Sequence, residues 1–234
     1  MTGPAGNPRK VCVVPRLAGV GGMVSFQHKL AAGLEARGIR VTQNLTEQDY
    51  AAVLVIGGTR DLLGLWKARR RGIPVVQRLD GMNWLHRVGS GLPKSGLRHY
   101  LRAEYGNRLL ALLRGRIATH IVYQSNFVRG WWERVHGPAR AASSVIYNGV
   151  DLSVYSPQGS GCLPSDFTRL LLVEGSLMGG YEQGLEAAVG LAQRLAHKRE
   201  VELMVVGRVA PAIQERWQSR LAQSGESRLR LNWF

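Results

Sequence analysis

Residues 11–37 read VCVVPRLAGVGGMVSFQHKLAAGLEAR, and this stretch decides the fold. The run of β-branched residues at 11–14 predicts a strand, and residues 23–37 have the periodicity of a helix. Between them, the glycines at positions 19, 21 and 22 indicate a turn whose backbone N–H groups can bind an anion together with the helix start. A strand, a glycine-rich turn and a helix in this order are typical of the first unit of a parallel sheet.

The same alternation continues along the first part of the chain. Further strands are predicted at residues 39–41, 51–56, 74–77, 118–123 and 144–146, and helices at 61–71, 95–114 and 126–136. The strands lack strict polar–apolar alternation, as expected for a sheet covered on both faces. We therefore predict a parallel α/β domain at residues 11–152, preceded by a disordered Gly- and Pro-rich segment at residues 1–10.

A second series of elements follows a polar segment at residues 153–168, which is predicted to be a linker. Its strands are predicted at 170–173, 203–206 and 229–234, its helices at 181–195 and 211–223, and a glycine-rich turn at 175–180. Three strands are fewer than a sheet of this class usually has. A second parallel-sheet domain, residues 169–234, is therefore expected to be incomplete.

The charge of the chain is concentrated in its first part. The 234 residues carry 31 Lys and Arg against 16 Asp and Glu, a net charge of +15. Residues 1–150 hold 22 of these basic residues and 7 of the acidic ones, whereas residues 151–234 hold 9 of each. No apolar run approaches the roughly 20 residues that span a bilayer. The first residues lack the apolar centre of a secretory signal, so a cytoplasmic location is expected.

Two cysteines, Cys12 and Cys162, fit neither a disulfide framework nor a metal site with paired spacing. We predict that both are unpaired thiols and that the chain holds no metal. Nicotinamide dinucleotide binding is not expected either, because Val24 occupies the third glycine position of the dinucleotide pattern. The glycines of the first turn remain candidates for phosphate binding, with a tight turn that requires glycine as the alternative.

Polar residues follow the fourth strand at its carboxyl end, where open α/β sheets bind ligands. The segment from 78 to 84 reads RLDGMNW and supplies the candidates Arg78, Asp80, Gly81 and Asn83. The alternative is a loop in which Asp80 caps a following helix. Ser125 is a further candidate after the fifth strand, and helix capping is its alternative role. His120 lies within an apolar strand and is predicted to be a hydrogen-bonded core residue.

Two longer segments resemble a known family. VIYNGVDLSVYSP at 145–157 and IVYQSNFVRGWW at 121–132 are similar to signatures of the glycosyltransferases of family 4. The resemblance extends over about residues 11–234. It implies an α/β fold of GT-B type, with two Rossmann-like parallel-sheet domains.

This resemblance implies transfer of a sugar from a nucleotide-diphosphate donor to a glycan, lipid-linked or small-molecule acceptor, with retention of configuration. The second domain would hold most of the nucleotide sugar, the first would hold the acceptor, and no cofactor or metal would be needed. Asp80 occupies the position of a family histidine near the transferred sugar and is the catalytic candidate. The donor phosphate candidates are Gly21, Gly22, Met23, Gly175, Gly179 and Gly180. The acceptor or cleft candidates are Arg78, Gly81, Asn83 and Ser125, and the predicted hinge is Asn148, Gly149 and Asp151.

The chain departs from the family pattern at the donor phosphates. Ser176 and Gln183 stand where the family offers an Arg and a Lys to the diphosphate, and the family's pair of glutamates would fall beyond residue 234. Loss of one preorganised donor costs about 10² to 10³ in rate. Little or no transfer is therefore expected from these 234 residues alone. The alternative is a noncatalytic protein that binds a sugar nucleotide or a phosphate.

The basic residues indicate an anionic partner. Residues 95–116 are predicted to form an amphipathic helix whose leucines are Leu97, Leu101, Leu109 and Leu112 and whose arginines are Arg98, Arg102, Arg108, Arg114 and Arg116. Such a face suits anionic lipid at the inner membrane surface or a phosphorylated acceptor. A solvated basic face is the alternative. A nucleic-acid-binding protein is the second alternative function, although no nucleic-acid-binding motif occurs, and the oligomeric state is left open.

Overall fold

The computed structural model describes residues 10–19, 21–47, 49–84, 87, 97–158, 164–177 and 182–234. The chain divides into two compact units, Met1–Val150 and Asp151–Phe234. Each unit has its own parallel sheet. The predicted disordered segment lies outside the described residues except for Lys10, which belongs to the first strand.

The first unit is built on a six-stranded parallel sheet. Its strands are β1 (Lys10–Val14), β2 (Arg40–Thr42), β3 (Ala52–Ile56), β4 (Val75–Leu79), β5 (His120–Tyr123) and β6 (Ala142–Val145). They lie in the order β2-β1-β3-β4-β5-β6. The chain moves outward from β1 to β2 and then returns to add β3 on the other side of β1. A parallel sheet has its ligand-binding crevice at the carboxyl ends of the strands where the order reverses in this way.

Four helices connect these strands in the described residues. They are α1 (Gly22–Glu35), α2 (Leu62–Arg70), α3 (Leu97–Leu112) and α4 (Asn126–His136). The Asp61 carboxylate caps α2 by accepting from the Gly64 N–H at 2.8 Å, the side-chain cap that helix starts favour. The structure thus contains the helices and strands predicted for this unit, with ends shifted by a few residues.

Two apolar clusters form the core of the first unit. One gathers residues of β1, β3 and α2, among them Cys12, Val53 and Leu65. The other gathers Ile121 and Trp132 with residues of β4 and α4. Cys12 is fully buried and unpaired, and burial raises the pKa of its thiol to about 11. The prediction of an unpaired thiol is confirmed for Cys12, whereas Cys162 lies outside the described residues.

The second unit contains a three-stranded parallel sheet in the order β7-β8-β9. Its elements are β7 (Thr168–Ser176), α5 (Glu182–Ala196), β8 (Val201–Arg208), α6 (Pro211–Ser224) and β9 (Leu229–Trp233). Leu185 and Val189 of α5 and Trp217 of α6 pack against one face of the sheet. The expected fold class, two parallel α/β units, is confirmed.

The predicted glycine-rich turn at residues 175–180 is wrong at its start, because Gly175 lies in strand β7. Pairing with β8 shifts register between Val173 and Ser176, and the strand continues past this irregularity. Gly207 of β8 permits the continuation. A Cβ atom there would lie 1.9 Å from the Glu174 carbonyl oxygen, and Gly207 has a φ of +150°.

The predicted basic helix at residues 95–116 differs from the structure at its end and at Arg114. Helix α3 ends at Leu112 and continues as a π-helical turn, Leu113–Ile117. Arg114 is buried in this turn, where its Nε donates to the Tyr123 hydroxyl at 2.9 Å and its Nη2 to the Gly137 carbonyl at 2.7 Å. Leu97 and Leu101 of the apolar stripe are 60% and 57% exposed. Arg114 therefore stabilises the core, while leucines lie on the surface.

No helix in the described ranges combines the length and apolar character needed to cross a membrane.

Candidate functional site

The candidate residues of the first unit lie at one edge of its sheet. The carboxyl ends of β1, β3, β4, β5 and β6 meet there because these strands are parallel neighbours. The glycine-rich turn follows β1, Arg78 lies within the end of β4, and Ser125 and Asn148 follow β5 and β6. The topology thus brings together residues that are far apart in the sequence.

A buried glutamine holds the loop after β1 in place. The Gln27 Nε2 donates to the Pro15 carbonyl at 2.8 Å, and the Gln27 Oε1 accepts from the Leu17 N–H at 3.0 Å. Gln27 belongs to α1, so the loop is fixed to the helix that follows it. A small region of backbone is thereby held rigid next to the point where the strand order reverses.

The glycines of this loop have different structural needs. Gly19 and Gly21 have φ values of +95° and +147°, conformations that favour glycine. The tight-turn interpretation therefore explains both. Gly22, the first residue of α1, has no such φ, and a Cβ atom there would meet nothing within 4 Å. The turn does not account for a glycine at position 22.

Met23 lies over the end of β3. Its sulfur is 3.8 Å from the point where a Cβ of Gly57 would be, and Gly57 directly follows β3. The Gly57 N–H donates to the Arg78 carbonyl at 2.8 Å, which joins the ends of β3 and β4. The start of α1 is thus next to the edge that carries Arg78.

Arg78 is the centre of a polar cluster. Its Nη2 donates to the Asn148 Oδ1 at 2.9 Å and to the Gln124 Oε1 at 3.1 Å. Its guanidinium carbon lies 3.9 Å from the centre of the Phe26 ring, so α1 covers the cation. Arg78 is only 6% exposed. We call Arg78, Gln124, Asn148 and Phe26 the Arg78 cluster.

The charges at this edge are poorly solvated. Burial lowers the pKa of Arg78, and the nearby Asp80 partly opposes that shift. Burial raises the pKa of Asp80, although its own backbone N–H and Arg78 favour the charged carboxylate. Arg78 forms no ion pair with any carboxylate of the described residues. Burial thus disfavours the charged form of each group more than their mutual attraction favours it.

Side chains of two helices hold the loop from Asp80 to Asn83 in place. The Trp132 Nε1 donates to the Asp80 carbonyl at 2.8 Å. The Asn107 side chain accepts from the Asn83 N–H at 3.0 Å and donates to the Asn83 carbonyl at 2.7 Å. Residues 81–84 are irregular, so the alternative that Asp80 caps a helix starting there is wrong. At Gly81, a Cβ would lie 3.1 Å from the Trp131 ring, which explains the glycine by close packing.

Three aromatic side chains form a patch beside this loop. The ring centres of Trp84 and Trp131 are 6.5 Å apart, and those of Phe127 and Trp131 are 5.9 Å apart. Trp84 and Phe127 are exposed. We call these three residues the aromatic patch. It offers an apolar surface next to the polar candidates, a combination that small-molecule sites commonly use.

Ser125 caps helix α4. Its Oγ accepts from the Val128 N–H at 3.1 Å, so the capping interpretation is confirmed. His120 is half-buried, and its Nε2 is 3.0 Å from the Ser144 Oγ, as expected for a hydrogen-bonded core histidine. Neither residue belongs to the Arg78 cluster.

Of the predicted hinge residues, Asn148 is tied to the first unit through Arg78. Asp151 accepts from the Ser153 N–H at 2.9 Å, at the start of the second unit. Gly149 has open space around its Cα, since nothing lies within 4 Å of a Cβ built there. The hinge stays a prediction.

In the second unit, Gly175 belongs to β7, and Gly179 and Gly180 lie outside the described residues. Ser176 ends β7 and is half-buried. Gln183 is exposed in the first turn of α5. Across the described ranges, no group of three or more His, Cys, Asp or Glu is arranged to hold a metal ion.

Sequence reasoning missed Phe26, Gln124 and Asn107. Gln124 could have been found, because it directly follows β5 at the same edge as Arg78. Phe26 and Asn107 had no such signal. Each lies inside a helix, and its contact with a distant loop or strand depends on how the helix packs.

No protein-family model and no curated protein sequence matches the chain. Among solved structures, sucrose-phosphate synthase from Thermosynechococcus elongatus is similar with a TM-score of 0.61 and 14% identity, over 97% of this chain and 71% of the synthase. MurG from Acinetobacter baumannii gives 0.47 and 15%, over 97% and 66% of the two chains. UDP-N-acetylglucosamine 2-epimerase from Rickettsia bellii gives 0.42 and 14%, over 87% and 48%. The match to the synthase shows that this chain has a fold of GT-B type.

Proposed function

We propose that the chain belongs to glycosyltransferase family 4 and takes part in transfer of a sugar from a nucleotide diphosphate to a glycan, lipid-linked or small-molecule acceptor. The observation that carries the proposal is the Arg78 cluster, which lies at the carboxyl edge of the first sheet in a fold of GT-B type. The first unit holds the acceptor and the second holds most of the donor. No metal or cofactor takes part.

Asp80 is the proposed catalytic residue. Its half-buried carboxyl follows β4 directly, and two helices fix the loop that begins with it. A carboxylate held in this way stabilises the positive charge that develops on a sugar ring as its bond to the leaving group breaks. Fixed geometry matters because displacement by about 1 Å is enough to cost roughly a hundredfold in rate.

The donor phosphates are proposed to bind at two glycine-rich helix starts. In the first unit this is the start of α1, with Gly21, Gly22 and Met23. In the second unit it is the segment from Gly175 to α5, including Gly179 and Gly180. Backbone N–H groups and the helix dipole supply the positive potential there. Because Gln183 brings no charge to α5, donor binding is expected to be weak and transfer slow.

Replacing Gln183 with Lys tests this assignment. Gln183→Lys places a cation in the first turn of α5, and we expect affinity for one of UDP-, GDP- or ADP-glucose to rise about tenfold, as one charged hydrogen bond provides. Gln218→Lys is the matched control, because Gln218 is exposed on α6 of the same unit. Calorimetric titration gives both affinities. An equal gain in affinity in the two variants would indicate nonspecific electrostatic attraction and would contradict the proposed donor site at α5.

A noncatalytic sugar-nucleotide-binding protein is the second candidate function, favoured by Ser176 and Gln183 in place of cations. The two candidate functions differ in whether the chain binds an acceptor. Under the first, a nucleotide sugar and an acceptor bind to the same chain, and any product formation is lost in Asp80→Asn. Under the second, the nucleotide sugar binds, whereas no glycan, lipid-linked or small-molecule acceptor does.

We also propose that the first unit associates with the surface of an anionic membrane at the inner face of the cell. Leu97, Leu101, Tyr105 and Leu112 are exposed on one side of α3. Arg98, Arg102 and Arg108 are exposed on the same helix. Apolar side chains flanked by arginines suit a lipid interface better than nucleic acid, since leucines gain nothing from a phosphate backbone.

A further inference from the structure

We propose that Arg78 binds an oxyanion, a phosphate or carboxylate group, carried by the acceptor molecule. The inference rests on the proposed function in calling the ligand an acceptor. The oxyanion itself is inferred from the first unit alone, where a buried cation that forms no ion pair with a described carboxylate lies at the ligand-binding edge of a parallel sheet.

The burial of Arg78 is unusual because no described carboxylate forms an ion pair with it. Removing a guanidinium from water is costly, and buried charges are normally paired. Here both hydrogen-bond partners are neutral amides, Gln124 and Asn148. Asp80 is close enough to act electrostatically, but it forms no ion pair with Arg78. The protein therefore holds the cation in place without neutralising it.

The hydrogen bonds of Arg78 leave part of the guanidinium available. Both bonds use Nη2, and Nε and Nη1 donate to no described residue. Phe26 covers one face of the planar group, so a ligand oxygen would have to meet its edge. The N–H groups of Nε and Nη1 form a fork that matches two oxygens of a carboxylate or phosphate.

The amide partners explain why an arginine is used here. Gln124 and Asn148 are themselves 3.4 Å apart, from Asn148 Nδ2 to Gln124 Oε1, so they form a connected frame at the ends of β5 and β6. That frame fixes the direction of Nη2 before any ligand arrives. Preorganisation of this kind lowers the entropy cost of binding. A lysine in the same place would bring a charge without the fork.

Four probes test the inference by calorimetric titration of the full chain: inorganic phosphate, glucose 6-phosphate, glucuronate and glucose. We expect at least one of the three anions to bind, and glucose to bind at least tenfold more weakly than the sugar anion that binds best. The phosphate and carboxylate probes separate the two possible groups. If none of the anions binds, or if glucose binds as tightly as the anions, the inference is wrong.

Arg78→Gln should weaken binding of the anion at least tenfold, as loss of a charged hydrogen bond predicts. Arg140→Gln is the control. Arg140 is exposed two residues before β6, so this variant removes the same charge elsewhere in the unit. Its affinity should stay within about twofold of the unchanged chain, the small effect expected of a screened surface charge. Equal losses in both variants would mean general attraction to a basic protein and would overturn the inference.

A measurement on the unchanged chain covers the case in which Arg78→Gln does not fold. The Nε–H signal of Arg78 is assigned by its loss from the nitrogen–proton spectrum of Arg78→Lys. Saturating anion should shift this signal, and glucose should not. A signal that stays fixed while the anion binds would place the anion elsewhere. No donor is used in these measurements, so absence of donor binding would contradict the transfer proposal and leave the oxyanion site standing.

Discussion

Gly22 is the residue whose identity the fold explains least. Gly19 and Gly21 need their positive φ values, whereas Gly22 needs neither a special φ nor space. We attribute the glycine at position 22 to close approach of a donor phosphate to the backbone. A substitution at this position should therefore change ligand binding without lowering the stability of the chain.

Gly22→Ala should therefore leave the free energy of unfolding unchanged or higher, while donor affinity falls at least fivefold. Gly33→Ala in the same helix is the control. A Cβ there would be 3.7 Å from the Arg37 Nη1, an ordinary contact, and the added methyl should stabilise α1 by about 0.5–1 kcal/mol. Denaturant unfolding and donor titration of both variants check this. Loss of stability in Gly22→Ala would show that the turn requires this glycine.

Asp80 should make stability depend on pH in a defined direction. Its pKa is raised in the folded chain, so the folded state binds the proton more tightly than the unfolded state does. The resulting stabilisation is complete below the unfolded pKa of about 3.8 and is lost as pH rises through the folded value. Asp80→Asn removes the ionisation. We expect the variant to gain stability relative to the unchanged chain between pH 3.5 and pH 7.

Unfolding in denaturant at the two pH values measures this gain. Asp166→Asn is the control, because it removes a carboxyl group at an exposed position of the second unit. If the unchanged chain gained stability relative to Asp80→Asn over this range, the carboxylate would be favoured by the fold, contrary to the burial described.

At the scale of single residues, the sequence predicts the features that depend on neighbours in the chain. The Ser125 cap and the buried Cys12 follow from local pattern. The contacts of Arg78 do not, because Phe26, Gln124 and Asn148 come from three other elements. Their meeting depends on strand order, which the spacing of apolar residues does not encode.

Helix α3 shows what periodicity predicts about an element and what it does not. Leu97, Leu101 and Tyr105 are exposed, whereas Leu110 packs against the core and Ala103 and Asn107 are buried. Small residues let the helix approach the sheet closely, and Asn107 is used to hold the Asn83 loop. The apolar stripe therefore predicts the helix, whereas the residues that the helix buries depend on how it packs.

We predict that this exposed stripe binds anionic bilayers. The chain should sediment with vesicles containing phosphatidylserine more than with phosphatidylcholine vesicles, and added salt should weaken binding. Leu101→Ser should reduce partitioning about tenfold, because one inserted leucine contributes roughly 1.5–3 kcal/mol. Leu152→Ser is the matched control, since Leu152 is 78% exposed in the second unit. Equal sedimentation with both vesicle types, or equal effects of the two variants, would remove the membrane proposal.

The two units differ in charge as whole bodies. Residues 1–150 hold 22 basic and 7 acidic residues, whereas residues 151–234 are balanced at 9 of each. A field confined to one unit attracts anionic ligands or surfaces to that unit. Both proposed partners, the oxyanion at Arg78 and the lipid surface at α3, are of this kind.

The architecture of both units was predictable because each βα unit has its own local signal, and the structure confirms two parallel sheets. The path of β7 through Gly175 was not predictable from the sequence. It depends on Gly207 of the neighbouring strand, where the absence of a side chain lets two backbones approach. Contacts between strands that are distant in sequence limit what a single sequence can predict.

Hydrogen exchange of the full chain, with and without the best-binding nucleotide sugar, tests the central claim most directly. The claim is that the donor binds at the glycine-rich starts of helices in both units. We predict slower exchange of backbone amides at residues 21–27 and 182–187 when the donor is bound. Protection confined to the exposed basic residues of α2 and α3, or no protection at all at saturating donor, would contradict the account.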